Sequence, residues 1–158
     1  MTRQLQFNWN DLFRLGSIVL LTVFVSALAH ASDAGRVKVS KGSVEIARDG
    51  KTIPATVGTI VKTSDTIVTG ADGSVGITFN DDSLLSAGPN SELTIDQFVF
   101  DSTTHQGAFD TSLKRGTLAA VSGKLVKERP ESMRVKTPAA IMGVRGTEFL
   151  VRVADPKN

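Results

Sequence analysis

The chain contains no cysteine and no tyrosine, and its one tryptophan, Trp9, lies close to the start. Without cysteine there are no disulfides, no thiolate zinc sites and no thiol catalysis. Packing and backbone pairing alone must hold the fold. Histidine is also scarce, with only His30 and His105. His105 sits in the polar stretch Thr103–Gly107, which reads as an exposed loop, and a single loop histidine does not activate a serine or threonine nucleophile. Charge is nearly balanced, at 18 Lys plus Arg against 16 Asp plus Glu. No basic run is interleaved with stackable aromatics, so nucleic acid is not an expected partner.

The first 31 residues read as a secretory signal peptide. Arg3 and Arg14 give a positive n-region, Leu15 to Leu28 give a short apolar core, and Ala29-His30-Ala31 ends on small residues at −3 and −1. A membrane-spanning helix needs about 20 apolar residues. This run is shorter and carries Ser17, Thr22 and Ser26. Export to the periplasm, with no membrane span left after cleavage, is therefore expected. The remaining 127 residues, Ser32 to Asn158, suit one domain with one modest core.

Apolar alternation dominates the rest. Val37 and Val39, Val44 and Ile46, Val75, Ile77 and Phe79, and Leu93 and Ile95 follow the period of two that gives a strand one buried face. Asp49-Gly50 and Asp72-Gly73 are pairs suited to tight hairpins, and Asn80–Ser83 and Gly88–Ser91 are loop clusters. This pattern predicts an all-β single domain of about ten to twelve short strands, in a sandwich or a solenoid-like stack. Residues 32–41 read as an N-terminal extension and first strand, frayed up to residue 36, and 42–153 as the β domain. Residues 154–158 read as a frayed end. Thr117–Val121 reads as a strand, Lys124–Ser132 as a loop around Pro130, and Ala139–Met142 as one helical turn or a short strand.

Few residues suggest chemistry. Asn80, Asp81 and Asp82 lack the spaced acids of a calcium loop and read as Asx turns. Glu92, Asp96 and Asp101 sit where solvated faces are expected rather than as a catalytic carboxylate pair. No metal and no cofactor is expected. Arg145-Gly146-Thr147 is the trio of most interest. Its arginine either grips a carboxylate or phosphate from outside or pairs with an internal acid, Gly146 supplies a backbone turn, and Thr147 starts the last strand. Phe98, Phe100, Phe109 and Phe149 are core candidates. Val99 points away from Phe98 and Phe100, and it is a candidate binding residue if that side is exposed. Residues 92–100 and 147–153 are the candidate recruiting edges or faces for a partner.

Several stretches together resemble FecR-like domains. Gly42-Ser43-Val44 is similar to their opening strand. Asp65-Thr66-Ile67-Val68-Thr69-Gly70 is similar to their G-D-x-I-x-T-G segment, with Ser64 in place of the first glycine. Pro89–Leu93 resembles P-x-S-x-L, Leu113–Leu118 resembles L-x-x-G-x-L, and the tail supplies T-P-x-A (Thr137–Ala140) and V-R-G-T-x-F (Val144–Phe149). The resemblance covers residues 42–151 and implies a periplasmic β-rich domain, with Asp65, Gly70, Gly143 and Gly146 as structural turn positions and Arg145, Thr147 and Val99 left as binding candidates. Name-giving members of the family carry the domain behind a cytoplasmic anti-sigma segment and one membrane helix. Only 14 residues precede the apolar core in this chain, too few for that segment. The expected role is a non-enzymatic interaction or envelope-signalling module whose partner is another envelope protein. The alternative is binding of a carbohydrate or peptidoglycan fragment. The sequence sets no oligomeric state.

The protein recovered from periplasm should begin at Ser32. An intact mass that retains residues 1–31 would make the segment an anchor instead.

Overall fold

The computed structural model describes residues 33–154. The expected signal peptide and residues 155–158 lie outside the described residues. Twelve strands run in order: β1 (Asp33–Lys41), β2 (Val44–Arg48), β3 (Lys51–Pro54), β4 (Ile60–Lys62), β5 (Thr66–Thr69), β6 (Ser74–Phe79), β7 (Leu84–Ala87), β8 (Glu92–Phe100), β9 (Gly107–Val121), β10 (Met133–Lys136), β11 (Ile141–Gly143) and β12 (Glu148–Val153). One short helix, α1 (Lys124–Glu128), and a 3-10 turn (Pro130–Ser132) separate β9 from β10. The protein is an all-β domain, and the strands form one curled sheet ordered β3-β2-β5-β8-β9-β7-β6-β1-β4. Every pairing in it is antiparallel except β9 with β10.

β9 belongs to two half-sheets at once. Its first half, from Gly107 to Arg115, pairs with β8, and Phe109 to Ser112 also pair with β10. Its second half pairs with β7 on one side and β12 on the other. Phe109, Thr111 and Leu113 are buried, then Leu118 and Ala120. In a flat strand those two sets would face opposite ways. The ladder slips by one residue between Glu92 and Leu93, and Gly116 adopts φ +89°, so both sets face one core. A Cβ on Gly116 would run into Ser91, which makes glycine obligatory there.

The two half-sheets close over a single apolar cluster. Phe79 from one half meets Phe98 and Phe109 from the other, with ring centroids 5.3 and 4.5 Å apart, and Phe98 and Phe109 pack edge to face at 5.1 Å. Such pairs add about 0.5–1.5 kcal/mol each beyond their buried area. Phe100 and Phe149 pack only partly buried against this core.

Buried polar side chains tie the turns to the sheet. Asp65, fully buried, accepts a two-pronged bond from Arg48, Nε to Oδ1 at 2.7 Å and a guanidinium NH2 to Oδ2 at 2.6 Å. It also accepts the Lys62 N–H at 2.7 Å, while Arg48 donates to the Ile60 carbonyl. The bond to Asp65 is the main cause that holds the Arg48 guanidinium above its already high ordinary pKa. Thr69 Oγ1 donates to the Gly88 carbonyl at 2.6 Å and accepts the Ser91 N–H at 2.8 Å. Asp81 caps Ser83 through both N–H and hydroxyl, and Ser83 Oγ accepts the Gly123 N–H at 2.8 Å. The acidic cluster at 80–82 thus closes a turn.

Several local readings need correction. Residues 33–36 are not frayed, because Ala34 is buried and β1 pairs with both β4 and β6 from Gly35 onward. A bulge between Val37 and Val39 leaves Val37 buried and Val39 exposed, where simple alternation puts them on one face. Asp49-Gly50 forms a two-residue hairpin with positive φ at both positions. Asp72-Gly73 does not, since β5 and β6 belong to different half-sheets and the turn carries the chain across. The segment read as a loop around Pro130 contains α1, held by the burial of Leu125 and Val126. The strand read at Thr117–Val121 is the end of the much longer β9.

Ser64 stands where the family pattern has glycine and lies at φ +71°. That conformation costs a non-glycine residue about 1–2 kcal/mol. Ser64→Gly should therefore raise stability by about 0.5–1 kcal/mol after the extra entropy of the unfolded chain is charged. Asp65→Ala strips a buried partner from Arg48 and should cost at least about 3 kcal/mol. Urea melts of the two variants check both signs; an Asp65→Ala midpoint equal to wild type would contradict the role given to this pair.

Candidate functional site

The tail motif builds the open end of the fold. Thr137 Oγ1 accepts the Ala140 N–H at 3.1 Å, and the Thr137 N–H donates to the Ala140 carbonyl at 2.8 Å. These bonds close the Thr-Pro turn that folds β11 back onto β10. Ile141–Gly143 is a strand, so the helical-turn option for this segment falls away. Gly143 lies within β11 opposite Arg134, in open space and without a positive φ, so it is not a turn residue. Val144 is buried and donates to the Met133 carbonyl at 2.9 Å. From there the chain crosses through Arg145, Gly146 and Thr147 to β12 in the other half-sheet.

Ser122 anchors the crossing. Its hydroxyl donates to the Gly146 carbonyl, and its N–H donates to the Thr147 carbonyl at 2.8 Å. Gly146 has φ +128° with no atom near the position of a Cβ, so the demand on this residue is conformational, not steric. Arg145 and Thr147 are exposed. Arg145 forms no ion pair among the described residues, unlike Arg48 with Asp65 and Arg134 with Asp110. Arg134 grips the buried Asp110 with two bonds of 2.8 Å, and this pair joins β10 to β9.

Between the β10–β11 hairpin and β12 lies a groove of about 200 Å³, walled by the apolar side chains of Val135, Met142, Val144, Phe149 and Val151, with Arg145 and main-chain groups adding polar surface. Around Met142 and Val151 it continues into a second hollow of about 320 Å³ next to Pro138. Ile141 and Leu150 flank it at 70% and 69% exposure.

β12 pairs with β9 alone, so its other edge is open. The bond from the Ser122 N–H to the Thr147 carbonyl fixes the phase of this ladder. With a period of two, Phe149, Val151 and Val153 exchange main-chain bonds with β9. Glu148, Leu150 and Arg152 turn their N–H and C=O groups outward. Their side chains are exposed, whereas Phe149, Val151 and Val153 are half-buried.

The other candidates fall elsewhere. Val99 is 53% exposed, beyond the point where β5 covers β8. β8 itself pairs on both sides at Glu92–Thr94, so residues 92–100 do not form an outer edge along their whole length. A bulge between Ile95 and Gln97 shifts the buried face from Leu93 and Ile95 to Phe98. His105 stacks on Phe100 at 6.0 Å, and no described serine or threonine hydroxyl bonds to it. Beside it, the N–H groups of Thr103 and Thr104 hold the Asp101 carboxyl below the usual carboxylate range. Gly70 packs against Ser43 and carries the turn through its N–H and carbonyl. The open edge of β12 falls within 147–153, one of the two stretches named as candidate edges, and the sequence did not separate it from 92–100 because alternation marks a strand without marking its neighbours.

Gly146→Val should destabilise the domain by about 1–3 kcal/mol, the cost of a β-branched residue held at positive φ. Arg145→Ala should leave the urea midpoint unchanged. Equal midpoints for Gly146→Val and wild type would refute the backbone role.

A family model described as FecR protein matches residues 65–158, more than half of the chain, beginning at the buried Asp65. No curated protein and no solved structure matches the chain significantly. With the T-G, P-x-S, L-x-x-G-x-L and V-R-G-T elements all set into the sheet and its turns, the chain belongs to the FecR family.

Proposed function

We propose that this protein is an exported, non-enzymatic envelope module that regulates or signals by binding another envelope protein. The observation that carries this reading is the open edge of β12 beside a groove walled by apolar side chains. Unpaired strand edges accept a further strand, with main-chain bonds supplying affinity and side-chain pockets supplying selectivity. Family membership supports a regulatory role in the envelope. The polar clusters support it too, because Arg48–Asp65, Thr69–Ser91 and Asp81–Ser83 spend their bonds on turns and sheet contacts. Carbohydrate binding finds less support, since Arg145 is the one polar side chain among the groove's lining residues and Phe149 its one aromatic.

Leu150→Pro tests the reading. Proline removes an N–H that faces the open edge and leaves the bonds of β12 to β9 in place. Chemical cross-linking in envelope extract should join the wild-type protein to a defined envelope protein. That product should be lost with Leu150→Pro while the thermal midpoint stays within a few degrees. Val99→Lys, on an exposed position, should leave the melt unchanged. Capture that survives Leu150→Pro would move the binding surface elsewhere. Turnover of an envelope substrate that is lost on His105→Ala would overturn the non-enzymatic reading.

A further inference from the structure

The open edge of β12 has a sequence that complements itself. We infer that it pairs with the same edge of a second copy of this chain, antiparallel about Leu150. In that register Leu150 lies opposite the second Leu150, Glu148 opposite Arg152, and Phe149 opposite Val151. Every cross-strand pair is favourable: two opposite-charge pairs, two aromatic–β-branched pairs and one apolar pair at the two-fold axis.

Three observations on this strand converge. Glu148, Leu150 and Arg152 are the residues whose main-chain groups point away from β9, so a partner strand centred on Leu150 forms about six main-chain hydrogen bonds, two for each facing pair. Glu148 and Arg152 are exposed and form no ion pair among the described residues. Four residues apart on one strand they are separated by about 13 Å, so they cannot satisfy each other within one chain. Leu150 presents 69% of its surface to solvent at the centre of the arrangement. The charges also select the orientation. A second copy laid parallel in register would set Glu148 against Glu148 and Arg152 against Arg152, which is repulsive.

Such an interface rests on one strand from each copy and falls in the small, reversible class, below about 1,200 Å². Its dissociation constant should lie between about 1 μM and 1 mM. The pairing would occupy the edge assigned above to an envelope partner, so the partner would have to displace the second copy.

Sedimentation velocity on protein purified from cells expressing the full chain, from about 10 μM to about 1 mM, tests this. Wild type should shift from monomer to dimer across that range. Glu148→Arg alone and Arg152→Glu alone each set like charges opposite one another and should weaken association at least tenfold, equivalent to about 1.4 kcal/mol. An equimolar mixture of the two single variants restores two opposite-charge pairs and should associate at least as tightly as wild type. The double variant Glu148→Arg/Arg152→Glu should dimerise again. Wild type that stays monomeric at about 1 mM, single variants that dimerise like wild type, or a mixture that fails to associate would each overturn the inference. If self-association fails while the envelope cross-link persists, only the self-pairing falls. If a dimer forms and no envelope protein is captured, the partner reading falls and the self-pairing stands.

Discussion

Strand β9 runs unbroken through both halves of the curled sheet, and the other elements take their places from it. The chain has no cysteine, so no disulfide joins the two halves, and the backbone of this one strand runs through both. The strand can serve both halves only because its buried face changes parity between Leu113 and Leu118. The one-residue slip beside Glu92 and the positive φ of Gly116 produce that change, and Ser91 sits where a Cβ on Gly116 would have to go. Ser91 in turn accepts the Thr117 N–H at its Oγ, at 3.0 Å, and donates its main-chain N–H to Thr69 Oγ1. The glycine, the serine and the threonine of three separate motifs thus meet at one bend.

Much of this was legible in the residues. The alternation of Val75, Ile77 and Phe79 and the positive-φ pair Asp49-Gly50 carry local information, and local information suffices for strands and hairpins. The five-residue spacing of Leu113 and Leu118 breaks alternation, which hides its meaning until the bend is seen. Asp65 belongs to a visible motif, but its partner Arg48 lies 17 residues upstream with no pattern to mark the pairing. Asp72-Gly73 has hairpin chemistry and serves a crossing between half-sheets, because turn propensity does not specify which strands follow. α1 is five residues long and mostly charged, so only the burial of Leu125 and Val126 reveals it. At the site, Arg145 and Gly146 were visible as a turn. Residues 147–153 were visible as a candidate edge alongside 92–100, but which of the two lies open was not, since edge or interior position is a property of the sheet.

The distribution of polar groups separates what holds the domain from what it can offer. Buried acids are gripped by arginine or by turn amides, and buried hydroxyls bridge loops. The exposed apolar side chains Ile141 and Leu150 and the unpaired main-chain groups lie together at the last hairpin and strand, within the part of the chain that the FecR model matches. Arg145 stands at the crossing between them, on the outside.

The central claim, that β12 is held on one edge and open on the other, has a direct readout in amide hydrogen exchange followed residue by residue at low micromolar concentration. The N–H groups of Phe149, Val151 and Val153 should be protected by their bonds to β9, while those of Glu148, Leu150 and Arg152 exchange at rates near those of an exposed chain. When a strand is added at this edge, the second set should become protected and the first should change little. Uniform protection along β12 in the dilute protein, or uniform exposure, would contradict the account.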